Sequence, residues 1–362
     1  MLYHLLYPLR EIWFGFNIFK YITFRASMAA ITSFVLCLIV GPHIIKGLRR
    51  LELGQYVRKE NVDGLYDLHK HKEGTPTMGG LMVLVSVLIA VLLWCRLDND
   101  YVLLALGGMV WLGGIGLADD LMKIKNKSAK GIRGTTKIIG QVVLAVIVGL
   151  FVINNKNLGA ELYVPFMKNA MCSLGIFYIL FSLFVIVGAS NALNLTDGLD
   201  GLAIGCVVFI SITYAVISYM TGHIDISKYL HVFYLPGAGE LAVFCSALAG
   251  ASLGFLWYNC HPASIFMGDT GSLSLGGTIA IISIMLKKEI LLVIAGGILV
   301  IESLSVIIQV FSYKTRGKRV FLMSPIHHHF QIKGLHESKI TIRFWIIAAL
   351  LALLSLATLK VR

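Results

Sequence analysis

Mostly apolar stretches recur ten times along the chain, at about 22–45, 78–95, 101–118, 138–153, 174–190, 199–220, 241–258, 273–286, 290–311 and 342–359. A helix needs roughly 20 such residues to cross the hydrocarbon core of a bilayer. The pattern therefore predicts an all-α, polytopic integral membrane protein with about ten transmembrane helices, of which the fourth and eighth are short. Residues 1–362 are read as a single membrane domain. The first 21 residues are amphipathic and carry Tyr3, Tyr7, Trp13 and Phe16, which predicts a helix lying in the membrane interface. Arg10 and Lys20 precede no clean short apolar core with a small-residue exit, so no cleavable signal peptide is expected.

Charge adds a direction to this pattern. The chain has 31 Lys and Arg against 19 Asp and Glu. The loops after the odd-numbered spans hold 18 of the basic residues, six each in 47–75, 121–137 and 312–341, whereas the even loops hold six. The positive-inside rule places the odd loops in the cytoplasm and both termini outside. A basic surface in this setting suits lipid headgroups and phosphates, and no nucleic-acid motif accompanies it. The six cysteines stand singly, without C-x-x-C spacing, and read as small apolar packing residues. Cys95 and Cys172 both fall near the outer face, where a bridge between them is one option.

The candidate chemistry lies on the odd loops. Asn191, Asn194, Asp197 and Asp200 recur at three-residue steps through Asn191-Ala192-Leu193-Asn194-Leu195-Thr196-Asp197-Gly198-Leu199-Asp200-Gly201. Asn191 and Asn194 share a helix face, and Thr196-Asp197-Gly198 reads as a break that caps the next helix. Polar groups at the mouth of membrane spans are costly and usually face a polar cavity; the bland alternative is a capped turn. Lys70-His71-Lys72-Glu73-Gly74-Thr75-Pro76-Thr77-Met78-Gly79-Gly80 opens the second span. A helix N-terminus there offers an anion site with Lys72 beside it, or else a plain membrane-entry turn. Asp119-Asp120 ends the third span, where acids oppose the helix dipole and call for a cation, either Lys123 or a divalent metal. Asn259-Cys260-His261-Pro262 leads to Phe266-Met267-Gly268-Asp269-Thr270-Gly271-Ser272. A glycine-flanked acid at a helix start can hold a metal while its neighbours' N–H groups hold a phosphate. Glu302 and Gln309, seven apart in the ninth span, share a face. Three consecutive histidines in Pro325-Ile326-His327-His328-His329-Phe330 cannot all face one centre, so a zinc site is weakly supported.

Loops 47–77, 119–137, 190–201, 259–272 and 312–341 thus converge on one cytoplasmic-face site of carboxylates, lysine and glycine turns. Such a set suits Mg²⁺ held by carboxylates and substrate phosphates. No Walker A loop is present, which argues against ATP hydrolysis.

These motifs, five in order over nearly the whole chain, resemble the phospho-N-acetylmuramoyl-pentapeptide transferase family. That family belongs to the polyprenyl-phosphate N-acetylhexosamine-1-phosphate transferases. The resemblance implies transfer of the phospho-sugar of UDP-N-acetylmuramoyl-pentapeptide to undecaprenyl phosphate, giving lipid I and UMP with Mg²⁺, in the bacterial inner membrane, by a homodimer. By motif position it makes Asp269 the best metal ligand, with Asp119. It makes Asp119 a base or lipid-phosphate activator, Asp120 its support, and His327 a further catalytic group. Lys72, Thr77, Asn191, Asn194, Asp197, Asp200, Asn259, Phe266, Gly268, Ser272, Gln309, His328 and His329 would line the substrate pocket. Gln331 departs from the acid expected after His-His-His-Phe. The competing readings are the same chemistry on another UDP-sugar and, from a different class, a secondary transporter. Acids clustered at one face and the lack of an internal repeat argue against the transporter.

Overall fold

The computed structural model describes residues 1–50, 74–126, 131–167 and 170–360. Its architecture is helical throughout, apart from a two-residue hairpin that pairs Glu161–Leu162 with Cys172–Ser173. Among the described residues, eight helices are long and apolar enough to cross a membrane. The ten expected spans correspond to Ile22–Arg50, Gly80–Trp94, Asp100–Lys125, Gly134–Asn154, Tyr178–Thr196, Leu202–Gly222, Gly239–Asn259, Gly268–Met285, a broken ninth, and Glu337–Ala357.

Two expected spans are shorter or less apolar than the rest. Gly80–Trp94 has 15 residues. Gly268–Met285 has 18, and its first turn is polar because Asp269, Thr270 and Ser272 fall inside it. The ninth span is not the single helix its apolar run predicts. It divides into Glu289–Ala295 and Gly297–Arg316. The break falls at Gly296-Gly297, two residues without side chains to pack and with the highest backbone entropy to lose. The N-terminal 21 residues form three short helical pieces, Leu2–Leu6, Tyr7–Glu11 and Phe14–Lys20, rather than one interfacial helix. Pro8, which has no N–H to donate, falls at the first break, and the second falls at Ile12-Trp13.

The eighth span is the core of the bundle. Every residue from Thr270 to Met285 is buried, whereas outer spans such as Ile22–Arg50 bury one narrow stripe. A helix wrapped on all sides reads as continuously apolar or small, without an amphipathic period. Its N-terminal end passes very close to the third span. A Cβ built on Gly116 would lie 2.3 Å from the Asp269 carbonyl oxygen, so only glycine lets the two backbones approach there. This contact brings the end of the third span, with Asp119 and Asp120, against the start of the eighth, with Asp269.

Candidate active site

The third span ends in two adjacent acids with different partners. Asp119 and Asp120 are both buried. Asp120 caps the eighth helix: its carboxylate accepts the Asp269 N–H at 3.2 Å, the Thr270 N–H at 2.9 Å and the Thr270 hydroxyl at 2.7 Å. A carboxylate on free N–H groups at a positive helix end is a favourable pairing. These are the amides that the sequence offered to a substrate phosphate, and Asp120 has taken them. Gly268 makes the approach feasible. Its φ is +72°, and a Cβ there would lie 2.7 Å from Asp120 Oδ2.

Asp119 faces the other way. It accepts the Ile132 N–H at 2.7 Å, and its Oδ2 lies 2.7 Å from Lys123 Nζ and 2.9 Å from Lys137 Nζ. Both ammonium groups also reach Asp269, Lys123 at 3.0 Å from Oδ1 and Lys137 at 2.5 Å from Oδ2. Asn194 completes this shell by donating to Asp269 Oδ1 at 3.0 Å and to Ser272 Oγ at 2.8 Å. Three carboxylates, two lysines and an amide from the third, fourth, fifth and eighth spans thus form one network. The lysines are more exposed than the carboxylates, at 32% and 22% of their side chains against 0% for Asp119 and 13% for Asp269. Positive charge is what an arriving anion meets first.

Lys123 and Lys137 supply part of the positive charge that Asp119-Asp120 call for. In the sequence Lys137 stands out only as one of the six basic residues of 121–137, suited to lipid headgroups or an anionic substrate. The available signal was its position in the first turns of Gly134–Asn154, where a lysine opposes the helix dipole and calls for an acid.

The other expected site residues divide into two groups. Asn194 and Ser272 join the network, and Thr77 lies beside Gly268. The second group supports the loops around it. Asn259 accepts the Gly201 N–H at 3.1 Å and donates to the Ile265 carbonyl at 2.9 Å. Asp200 accepts from His261 Nδ1 and the Ala263 N–H, each at 3.1 Å, while Glu337 accepts the Asp200 N–H at 2.7 Å. Asp197 follows the last residue of the fifth helix, and Gly201, at φ +74°, precedes the first residue of the sixth. Asn191 is exposed and bonds Gln141 Oε1 and the Val187 carbonyl. The ninth-span face predicted for Glu302 and Gln309 is real: Gln309 holds Val320 and Phe321, and Glu302 meets His327. The three histidines diverge, His328 to Gln331 and His329 to the Leu322 N–H. Partial burial, helped by Lys333, holds the His329 pKa below the ordinary imidazole value.

The first amides of the second span are satisfied within the chain and are not free for an anion. The N–H groups of Gly79 and Gly80 donate to the Phe266 and Met267 carbonyls, and those of Leu81 and Met82 to Met78 and Gly79. This strip also fixes Phe266, whose N–H donates to the Pro76 carbonyl at 2.9 Å. Lys72 lies outside the described residues. Cys95 and Cys172 are both free thiols, so the bridge does not form.

Comparison with known proteins gives consistent matches. The family model for glycosyl transferase family 4 matches residues 101–287. Signature 1 of phospho-N-acetylmuramoyl-pentapeptide-transferase matches residues 72–84. The chain is 53% identical over 362 residues to the phospho-N-acetylmuramoyl-pentapeptide-transferase of Pelobacter propionicus, covering all of both chains. It is 51% identical over 362 residues to the enzyme of that name from Citrifermentans bemidjiense and 48% over 365 residues to that from Endomicrobium trichonymphae, again covering all of each chain.

Proposed function

The chain belongs to the phospho-N-acetylmuramoyl-pentapeptide transferase family and is a bacterial membrane transferase of peptidoglycan synthesis; from that premise we propose that the Asp119–Lys123–Lys137–Asp269 network carries its reaction. The donor is UDP-N-acetylmuramoyl-pentapeptide and the acceptor undecaprenyl phosphate. An acceptor phosphate oxygen forms a bond to the phosphorus that bears the sugar. The bond from that phosphorus to the bridging oxygen breaks, and UMP leaves with the electron pair, so lipid I remains in the membrane.

The main obstacle is repulsion between two phosphate anions, which positioning and charge neutralisation relieve. The carrying observation is that Lys123 and Lys137 both bridge Asp119 and Asp269 at the exposed edge of the cluster. Lysines held this way are fixed in place yet open on one side to phosphate oxygens. Asp119, against both lysines, receives the acceptor phosphate or its proton. Asp120 keeps Asp269 at the start of the eighth helix, and Asn194 orients the Asp269 carboxylate.

The same residues fit a hard divalent cation. Asp119, Asp120 and Asp269 each bring a carboxylate oxygen within 4.8 Å of the others. Asp119 Oδ2 is buried without an aligned hydrogen bond, and three carboxylates outnumber two ammonium groups. Asp269 and Asp119 would hold Mg²⁺, which when bound supplies positive charge to phosphate oxygens. The working form is a homodimer in the inner membrane, with this end of the bundle toward the cytoplasm.

Asp269→Asn tests the reading. It preserves size while removing the charge that both lysines and the cation meet. Purified variant should keep its melting temperature within a few degrees and lose nearly all turnover. Retention of more than about a tenth of wild-type kcat, a barrier change below ~1.4 kcal/mol, would remove Asp269 from the reacting centre. Chelation of divalent ions should silence the wild-type enzyme, with Mg²⁺ restoring it.

A further inference from the structure

Glu302 and His327 form a buried titratable pair outside the carboxylate–lysine network. Glu302, in the ninth span, is completely buried, and His327, at the start of the helix Ile326–Ile332, is 1% exposed. His327 Nδ1 lies 3.1 Å from Glu302 Oε2, a pairing distance without the alignment of a hydrogen bond. Among the described residues, neither Glu302 oxygen and neither His327 ring nitrogen has a hydrogen-bond partner. Orphaned buried polar atoms are rare in native structures, and each one needs a reason.

The surroundings of the imidazole supply that reason. A Cβ built on Gly198 would lie 2.3 Å from His327 Nε2, so the ring rests directly on the Asp197-Gly198 turn. The His328 ring packs on it at a centroid distance of 4.2 Å. The ring is therefore confined by the ninth span on one side, the turn on another and its neighbouring histidine on a third. Gln309, on the same face of the ninth span, grips Val320 and Phe321. One helix face holds the segment before the histidines at one end and His327 at the other.

We propose that Glu302 is a positioning residue for the transfer: it fixes His327 through Nδ1 and so sets the contact between the histidine helix and the Asp197-Gly198 turn. This rests on the reading that both segments line the substrate pocket. A carboxylate against one ring nitrogen selects the tautomer with the proton on that nitrogen, which leaves Nε2 toward the turn. Stability alone is a poor reason for the pair, because well-packed apolar residues generally replace a buried ion pair without loss. An acid kept inside a membrane span is functional by default.

A double-mutant cycle on the purified full-length enzyme tests the coupling. Glu302→Gln, His327→Ala and the double variant are compared for kcat, for KM toward each substrate and for melting temperature. Glu302→Gln should leave melting nearly unchanged and lower kcat/KM about tenfold or more, and the double variant should be no worse than His327→Ala, since groups acting as a unit are not additive. Gly198→Ala, which drives a methyl group into Nε2, should reproduce the loss. If His327→Ala is damaging but Glu302→Gln is harmless, or adds its full separate effect in the double variant, the positioning role is overturned while the pocket assignment stands. If His327→Ala leaves turnover intact, the histidine segment leaves the pocket and the positioning role falls with it. Should the single variants fold poorly, Glu302→Met with His327→Leu restores an apolar contact. It should regain stability without turnover, and recovered turnover would overturn the proposal.

Discussion

Asp119 and Asp120 are neighbours in sequence with different duties, because successive residues on a helix point roughly 100° apart. Asp120 is tied to the first amides of the eighth helix, and Asp119 to the lysines. Asp119→Asn separates the roles open to Asp119. A phosphomonoester has its second pKa near about 6, so a proton acceptor is needed mainly below that value. If Asp119 accepts the proton, the residual activity of the variant rises with pH and approaches the parent once the acceptor phosphate is fully ionised. A deep loss at every pH, with UMP released by wild type in the absence of acceptor lipid, would instead assign direct attack on phosphorus to Asp119. Lys137→Met supplies an independent check. It removes one of the two bridges to Asp269 and should lower kcat by about 10² or more, as loss of one preorganised charge donor at a reacting centre does, with little change in melting. A kcat within threefold of wild type would leave Lys123 as the sole electrostatic contact that matters.

Helices and their ends show where sequence reading succeeds and where it stops. Apolar length located the spans, since nothing but a helix satisfies its own backbone inside lipid without closing a barrel. The ninth-span break was less visible, because Gly296-Gly297 sits inside an unbroken apolar run and glycine is common in membrane helices. Asp119, Asp120, Asp269 and Asn194 were legible as costly polar groups at span ends. What those groups bond was not legible. The amides of Gly79, Gly80, Asp269 and Thr270 looked free for a phosphate, yet they are satisfied by the Phe266 and Met267 carbonyls and by Asp120. Pairing between segments more than a hundred residues apart is set by helix packing and leaves no local periodicity. The same packing yields a test. Gly116→Ala places a methyl group against the Asp269 backbone, 2.3 Å from its carbonyl oxygen before relaxation. The third and eighth helices must separate, at a cost of about 1–3 kcal/mol. Because Asp269 moves with that backbone, kcat should fall by more than the melting temperature alone explains. A variant that melts lower but turns over normally at permissive temperature would show that the approach serves packing only.

At the scale of the whole molecule, Lys and Arg asymmetry and site placement agree on one end of the bundle, and two native cysteines can report which side of the membrane that end faces. Cys260 caps the C-terminus of Gly239–Asn259, beside Asn259 and His261 and so at the end that carries the acid network. Cys172 sits in the hairpin strand just before the fifth span, whose other end carries Asn194. That helix has 19 residues and, at about 1.5 Å per residue, separates its ends by nearly 30 Å, a bilayer core. Both thiols are exposed, while Cys37, Cys95, Cys206 and Cys245 are buried. No engineered reporter is therefore needed. In spheroplasts, a membrane-impermeant maleimide should label Cys172 and spare Cys260, and in inverted vesicles the preference should reverse. Cysteines placed at residues 125 and 316 should follow Cys260, and one at 228 should follow Cys172. If Cys172 and Cys260 react from the same side, the span count between them, or the hairpin's place at the far end of the bundle, is wrong. If they react from opposite sides in the inverted sense, the fold stands and the acid network faces outward. UDP-linked donor made in the cytoplasm could not then reach it.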